Sequence, residues 1–302
     1  MKLQEKSKSL FDFLPNADPS DVNQVLHRLD DEARLAFRTL AFGNGKVSSG
    51  PASCVICFSG GIDSSILASL VSDELSKDLP LLRVGTMSSQ DANAVATSFA
   101  TQAVSRLDEA IVEQAVLAVS SLAKPLSLSH FEDCVAFWVI AREVRERFKG
   151  ARYILSANGP DELFCGYDRF RRIADTSGYK AVSEEIHRAV SIAKILAQQV
   201  RVILSSIGIE LLNPFLSEEF VRFCELGVPV KYKIAIGDDR LRKRIWRLYG
   251  RKLGLAEEVV QKPKKAMQYS MGIHAVVKRM LKKGKLEIGL QNAEMEHRTS
   301  NA

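Results

Sequence analysis

The sequence predicts a parallel α/β sheet with helices on both faces, passing into a mostly helical C-terminal subdomain. Two observations predict it. From Cys54 onward, short apolar runs (Cys54–Phe58, Leu81–Val84, Tyr153–Leu155) alternate with stretches of helical period (Ile62–Leu75, Asp91–Ala103, Phe131–Phe148). Such alternation builds parallel, doubly wound sheets, because each crossover helix must cover a sheet face. Two of the runs also lead directly into glycine-bearing polar loops followed by helices, which places those loops at the carboxyl edge of an open sheet.

Taken in order, the elements begin with a helix. Ser20 is a candidate N-cap, and Val22, Val25, Leu26, Leu29, Ala33, Ala36, Phe37 and Leu40 recur at helical spacing. Gly43-Asn44-Gly45 and Ser48-Ser49-Gly50-Pro51 then break the pattern. Residues 1–50 therefore read as a helical N-terminal extension and 51–290 as the main domain. The polar residues 291–302 read as a disordered tail. Beyond Glu162 the pattern is mostly helical.

Composition narrows the class. No apolar run approaches the roughly 18–20 residues of a membrane helix, and Met1–Lys6 has no apolar signal core. Five cysteines, an odd number among apolar stretches, fit reduced thiols in the cytoplasm. Cys54 and Cys57 have a Cys-x-x-Cys spacing, but strand alternation points them to opposite faces, which suits neither metal nor disulfide. The net charge of +6 is uneven: residues 228–285 hold 17 Lys/Arg against 4 Asp/Glu, leaving the rest of the chain at −7. A basic lobe attracts phosphates of a nucleotide or a nucleic acid; solvated helix faces are the plainer reading.

Ser59-Gly60-Gly61-Ile62-Asp63-Ser64 joins a predicted strand to a predicted helix. Two glycines let backbone approach a ligand closely, and the following helix offers unpaired N–H groups at its positive end. Ser59 and Ser64 add donors. Asp63 beside a phosphate is repulsive unless a cation bridges them, and Mg²⁺ suits that task. The ending Gly-Lys-Ser/Thr of a Walker A loop is absent. The second loop, Ser156 to Tyr167, contains Gly159-Pro160-Asp161-Glu162-Leu163-Phe164-Cys165-Gly166-Tyr167 after the strand ending at Leu155. Its acidic pair is either N-terminal helix charge or a second carboxylate for the same cation. His130, Glu132 and Asp133 open a helix and read as capping.

The first loop resembles the pyrophosphatase loop of enzymes that cleave ATP to AMP and pyrophosphate. Together the two loops resemble the signature motifs of the asparagine synthetase family. Gly208-Ile209-Glu210 with Pro214-Phe215-Leu216, the step Lys243 to Arg247, and Lys262-Pro263-Lys264-Lys265-Ala266 resemble three further motifs, in the right order. The resemblance covers roughly residues 52–275 and is nearest to the synthetase half of asparagine synthetase domain-containing proteins. It implies an adenine nucleotide alpha hydrolase-like (HUP-type) fold and an ATP-dependent amide-forming ligase that adenylates a small carboxylate. It also implies Mg²⁺ on Asp63 and Asp161, and ATP held by Ser59, Gly60, Gly61, Asp63, Ser64, Val84, Gly85 and Gly159. Lys264, Lys243 and Asp161 are the implied catalytic groups.

Several positions depart from the family pattern. Asn158 stands where synthetases carry an acidic residue, Ala157 replaces a glycine, Leu212 an arginine and Ser217 an aspartate. An asparagine amide cannot accept a proton, so asparagine formation from aspartate and ammonia is not expected. About 50 residues precede the first loop, too few for a glutaminase, which leaves free ammonia, an amine or an ammonia-supplying partner protein. An RNA-modifying enzyme using the basic lobe, and a catalytically weak ATP-binding scaffold, are the alternative readings.

Overall fold

The structure, a computed structural model, describes residues 13–14, 17–43, 53–74, 80–84, 101–105, 108–237, 242–263, 271–286 and 288. The expected tail 291–302, Gly85 and Lys264 lie outside them.

Helix α1 (Pro19–Phe42) starts two residues earlier than its sequence suggests. Asp18, not Ser20, is the N-cap, accepting from the Ser20 N–H at 2.8 Å. Pro19 explains the shift, because its fixed φ and missing N–H suit the first helical position. The apolar stripe of α1 is fully packed: Val22, Leu29, Ala33 and Phe37 are each 0% exposed. It joins the same core as the first strand rather than standing apart from it.

Five strands form one parallel sheet: β1 (Cys54–Cys57), β2 (Pro80–Val84), β3 (Thr101–Ser105), β4 (Tyr153–Leu155) and β5 (Glu210–Leu212), in the order β3-β2-β1-β4-β5. Register aligns Ile56 with Leu81 on one side and Leu155 on the other, and Leu155 with Leu212. This row faces one core, while Val55, Leu82, Ile154 and Leu211 face the other, as the two-residue period of a strand requires. Helices α1 and α2 (Ile62–Glu74) pack on the first face. Helices α3 (Glu109–Leu122) and α4 (Leu128–Arg147) cover the second. Strands buried on both sides read as unbroken apolar runs, which is why β1 and β4 were recognisable.

Two expectations are corrected. The helix expected over Asp91–Ala103 is contradicted at its end, where Thr101–Ser105 is strand β3; residues 91–100 lie outside the described set. Five consecutive backbone pairings with β2 outweigh the local periodicity that suggested a helix. The helical run beyond Glu162 is also interrupted, because β5 returns to the sheet beside β4. Around it lie α5 (Pro160–Leu163), α6 (Asp168–Ser206, kinked at Gly178) and a 3₁₀ turn (Pro214–Leu216). The chain continues through α7 (Glu218–Leu226), α8 (Val230–Lys233), α9 (Arg244–Lys252), α10 (Glu257–Val260) and α11 (Ile273–Lys282). No helix among the described residues is long and apolar enough to cross a membrane.

Candidate active site

Adjacent strands β1 and β4 end side by side, and each delivers its loop to the same carboxyl edge of the sheet. After β1, Gly60 takes a left-handed φ of 69°, which turns the chain into α2. The Ser59 and Ser64 hydroxyls lie 3.1 Å apart, and the Ser64 hydroxyl also accepts from the Ser59 N–H at 3.2 Å. The loop is thus shaped before any ligand arrives. Asp63 sits in the first turn of α2, where the helix dipole favours its charge.

After β4, Gly159 holds φ 115°, and a Cβ there would lie 2.7 Å from the Phe215 carbonyl oxygen. Only glycine fits. Pro160 then opens α5 and sets Asp161 and Glu162 in its first turn. Gly166 closes the loop by donating its N–H to the Asp161 carbonyl at 2.7 Å.

Lys243 connects the two loops. Its ammonium lies 2.6 Å from Asp63 Oδ2 and 2.7 Å from Asp161 Oδ1, and the residue is 2% exposed. The other Asp63 oxygen accepts from Trp246 Nε1–H at 2.9 Å. Trp246 is fully buried, stacked on Phe164 at 4.7 Å and edge-on to Phe215. Lys243 itself adopts the left-handed conformation (φ 62°) just before α9, an arrangement uncommon outside glycine that concentrates at functional positions.

One turn on, Arg247 is 4% exposed and spends its guanidinium on backbone carbonyls. Nε–H donates to Arg242 at 2.7 Å, and the terminal nitrogens donate to Val260 and Lys262. Burial lowers its pKa from the ordinary value. Arg247 is therefore a structural clamp that holds Lys262 and Pro263 at the site.

These groups border a cavity of about 310 Å³, at the lower end for a small-molecule site. Ser59, Gly61, Asp63, Ser64, Gly159, Asp161 and Lys243 all line it. Gly60 shapes the loop without lining the cavity. Val84 ends β2, paired with Ser105, and its side chain lies outside the described residues. Asn158 and Ala157 line the cavity, whereas Leu212 and Ser217 do not. Leu212 lies in the core at 1% exposure, and the buried Ser217 hydroxyl has no hydrogen-bond partner among the described residues. Those two departures from the family pattern thus lie behind the cavity surface. Cys54 and Cys57 do face opposite cores, and burial pushes the Cys57 thiol up to about 12.

Sequence reasoning missed part of the wall. Asp133 and Phe137 of α4 face the cavity, as do Ala193 and Leu196 of α6. Asp133 is not the capping residue it resembled, since Ser127 caps α4 by accepting from the His130 N–H. Glu132 is buried instead against His274, with 2.7 Å between Oε1 and Nδ1. Tyr167 donates its hydroxyl to Glu162 at 2.6 Å. Burial first, then the charges of Glu162, Asp161 and Asp133, holds that phenol well above its ordinary pKa. No spacing rule could have brought Asp133, Phe137, Ala193 and Leu196 together, because α4 and α6 lie far apart in the chain.

Comparison with known proteins places this geometry. The family model described as asparagine synthase matches residues 48–204, just over half of the chain. The chain belongs to the asparagine synthase family. A Methanocaldococcus jannaschii protein named "Putative asparagine synthetase (glutamine-hydrolyzing) 1" is 28% identical over 264 residues, covering 76% of this chain and 47% of that protein. An asparagine synthetase domain-containing protein of Drosophila melanogaster is 33% identical over 156 residues, covering 46% of this chain and 25% of its own length. Asparagine synthetase domain-containing protein 1 of Mus musculus is 32% identical over 143 residues, covering 45% and 22%. The chain spans about half the length of the archaeal relative and about a quarter of the other two. Both loops that meet at Lys243 fall inside the family match; Lys243 itself lies beyond it.

Proposed function

We propose that the chain is an ATP-dependent carbon–nitrogen ligase that adenylates a small carboxylate and passes the acyl group to nitrogen. One observation carries this reading: Asp63 and Asp161, delivered by two neighbouring strand ends, converge on one cation beside a serine–glycine loop at a helix N-terminus. Family membership supports the ligase class, and an adenine nucleotide alpha hydrolase-like fold follows from the same resemblance.

In the first step a carboxylate oxygen attacks the α-phosphorus of ATP, and the bond between the α- and β-phosphates breaks. The Ser59–Ser64 loop and the N-terminus of α2 bind the departing pyrophosphate. Val84 and Gly85 contact adenine and Lys264 offsets charge on the α-phosphate, as the family resemblance implies. In the second step a nitrogen nucleophile attacks the acyl carbonyl, the bond to AMP breaks, and the nucleophile loses a proton. Asn158 can orient that nucleophile but cannot take its proton. The nitrogen arrives as ammonia, as an amine or from a partner protein; the archaeal relative is named as glutamine-hydrolyzing, and hydrolysis of glutamine releases ammonia.

The acidic pair fits Mg²⁺. Two carboxylate oxygens already converge on a single cation, the Lys243 ammonium, and Mg²⁺ is bound by one or two carboxylates together with phosphate oxygens. Asp63 and Asp161 would hold the ion, which neutralises and orients the phosphates when bound. The test is chromatography of the nucleotide products formed with Mg-ATP, a panel of carboxylates and ammonium. AMP and pyrophosphate are expected; ADP as the main product contradicts the reading.

A further inference from the structure

The cation that joins the two acidic loops belongs to the protein itself. Lys243 reaches Asp63 Oδ2 at 2.6 Å and Asp161 Oδ1 at 2.7 Å, with its side chain 3% exposed. Three features hold the ammonium there. The residue takes a left-handed φ of 62° at the N-cap of α9, so its placement is built into the backbone. Gly166 leaves room for the lysine stem, since a Cβ at that position would come within 2.5 Å of Lys243 Cε. Trp246 Nε1–H engages the other Asp63 oxygen at 2.9 Å, which leaves Oδ2 to the ammonium.

The ammonium stands where the magnesium assigned above must bind. Mg²⁺ approaches carboxylate oxygens to about 2.0–2.1 Å, closer than either lysine contact, so ion and ammonium cannot share these two oxygens. Two cations against the same carboxylates also repel strongly in a poorly hydrated site. The ion therefore has to displace the ammonium. A surface lysine would swing into water at little cost. Lys243 is enclosed, and leaving its partners strands a buried charge. Free Mg²⁺ brings no anion to receive it. A nucleotide brings a triphosphate into the cavity that Lys243, Ser59 and Ser64 line together, and phosphate oxygens are strong acceptors for an ammonium.

We infer that Lys243 makes the Asp63–Asp161 pair selective for metal that arrives with nucleotide. The ammonium holds the cation position against free divalent ions and yields it when phosphates offer another anion. The inference rests on the magnesium assignment made above and goes beyond it in naming the group that sets the order of binding.

Manganese, whose free ion is counted directly by electron paramagnetic resonance, is the probe, with the full chain and no nucleotide. Lys243→Met should bind one Mn²⁺ at least tenfold more tightly than the wild type, because two carboxylates then face each other with no resident cation. Lys243→Gln serves if the first variant does not fold. Mn²⁺ alone should raise the melting temperature of the variant and not that of the wild type. Mn²⁺ with α,β-methylene-ATP, which resists cleavage, should raise the wild type's. Adding Asp63→Asn to the lysine variant should abolish the new site. A merely structural lysine predicts no gain in metal affinity. A folded lysine variant that binds Mn²⁺ no more tightly than the wild type overturns the inference. So does wild-type binding of Mn²⁺ alone that Asp63→Asn removes, an outcome that leaves the magnesium assignment standing. No effect of Mn²⁺ on any of these proteins, even with the nucleotide analogue, overturns that assignment and this inference with it.

Discussion

At the scale of single residues the site is held by one lysine shared between two carboxylates. Lys243 is nearly fully buried, and its partners Asp63 and Asp161 have side chains 20% and 13% exposed. Removing the ammonium leaves two partly buried carboxylates facing each other, and breaking a buried pair in this way costs about 3–5 kcal/mol. Lys243→Met should lower stability to urea by about that amount, and adding Asp63→Asn should recover part of it. A strictly additive double mutant would show that the charges are not coupled. Two glycines make a contrasting pair. At Gly166 a Cβ would overlap the Asp161 carboxylate and lie 2.5 Å from Lys243 Cε, whereas at Gly61 it would make only an ordinary 3.4 Å contact with Ser59 Oγ. Gly166→Ala should therefore lose both thermal stability and Mg-ATP affinity. Gly61→Ala should melt like the wild type yet bind Mg-ATP several-fold more weakly, because the added methyl stands where phosphate approaches. Melting curves and calorimetric titration check both. Asp63, Asp161 and the glycines were visible in the sequence because local loop chemistry demands those residue types. Trp246 was not: its bond to Asp63 spans 183 positions, and an indole in a helix signals core, not a carboxylate partner.

At the scale of elements, α1 is tied to α2 by charge as well as by apolar packing. Arg38 donates to both oxygens of Glu74 at 2.7 and 2.9 Å, and Arg34 reaches Glu74 and Asp73. Hydrogen bonding by Arg38, then Arg34, outweighs burial and holds the Glu74 carboxyl below its ordinary value of 4.5. A carboxyl with a depressed folded pKa stabilises the fold above its unfolded pKa, and that contribution fades as pH falls through the folded value. Glu74→Gln should therefore lower stability at neutral pH and flatten the loss of stability below about pH 4.5, as seen in urea unfolding at a series of pH values. An unchanged acid profile would remove the clamp from the account. Elements with a strong pattern were readable in advance: the stripe of α1, the buried strands β1 and β4, and α4. The strands β3 and β5 were not. Each is only five and three residues long and is defined by pairing with a neighbour rather than by its own periodicity.

At the scale of the whole molecule, a parallel sheet covered on both faces leaves its carboxyl edge as the place where loops from separate strands can meet. The first two motifs come from that edge, and Lys243, Arg247 and Lys262 arrive from the C-terminal portion to close the cavity. The recurrence of motifs in order revealed the family; the rest of the cavity wall needed the fold, since α4 and α6 meet there only in three dimensions. The central claim is that a carboxylate oxygen becomes bonded to the α-phosphorus of ATP. Isotope transfer tests it most directly. The acid that supports the fastest turnover is supplied with ¹⁸O in its carboxylate, together with Mg-ATP and ammonium, and the nucleotide product is analysed by mass spectrometry. One labelled oxygen in AMP is the predicted result, because the bridging oxygen of the acyl-adenylate leaves with the nucleotide. Label in inorganic phosphate, with AMP unlabelled, would contradict the account.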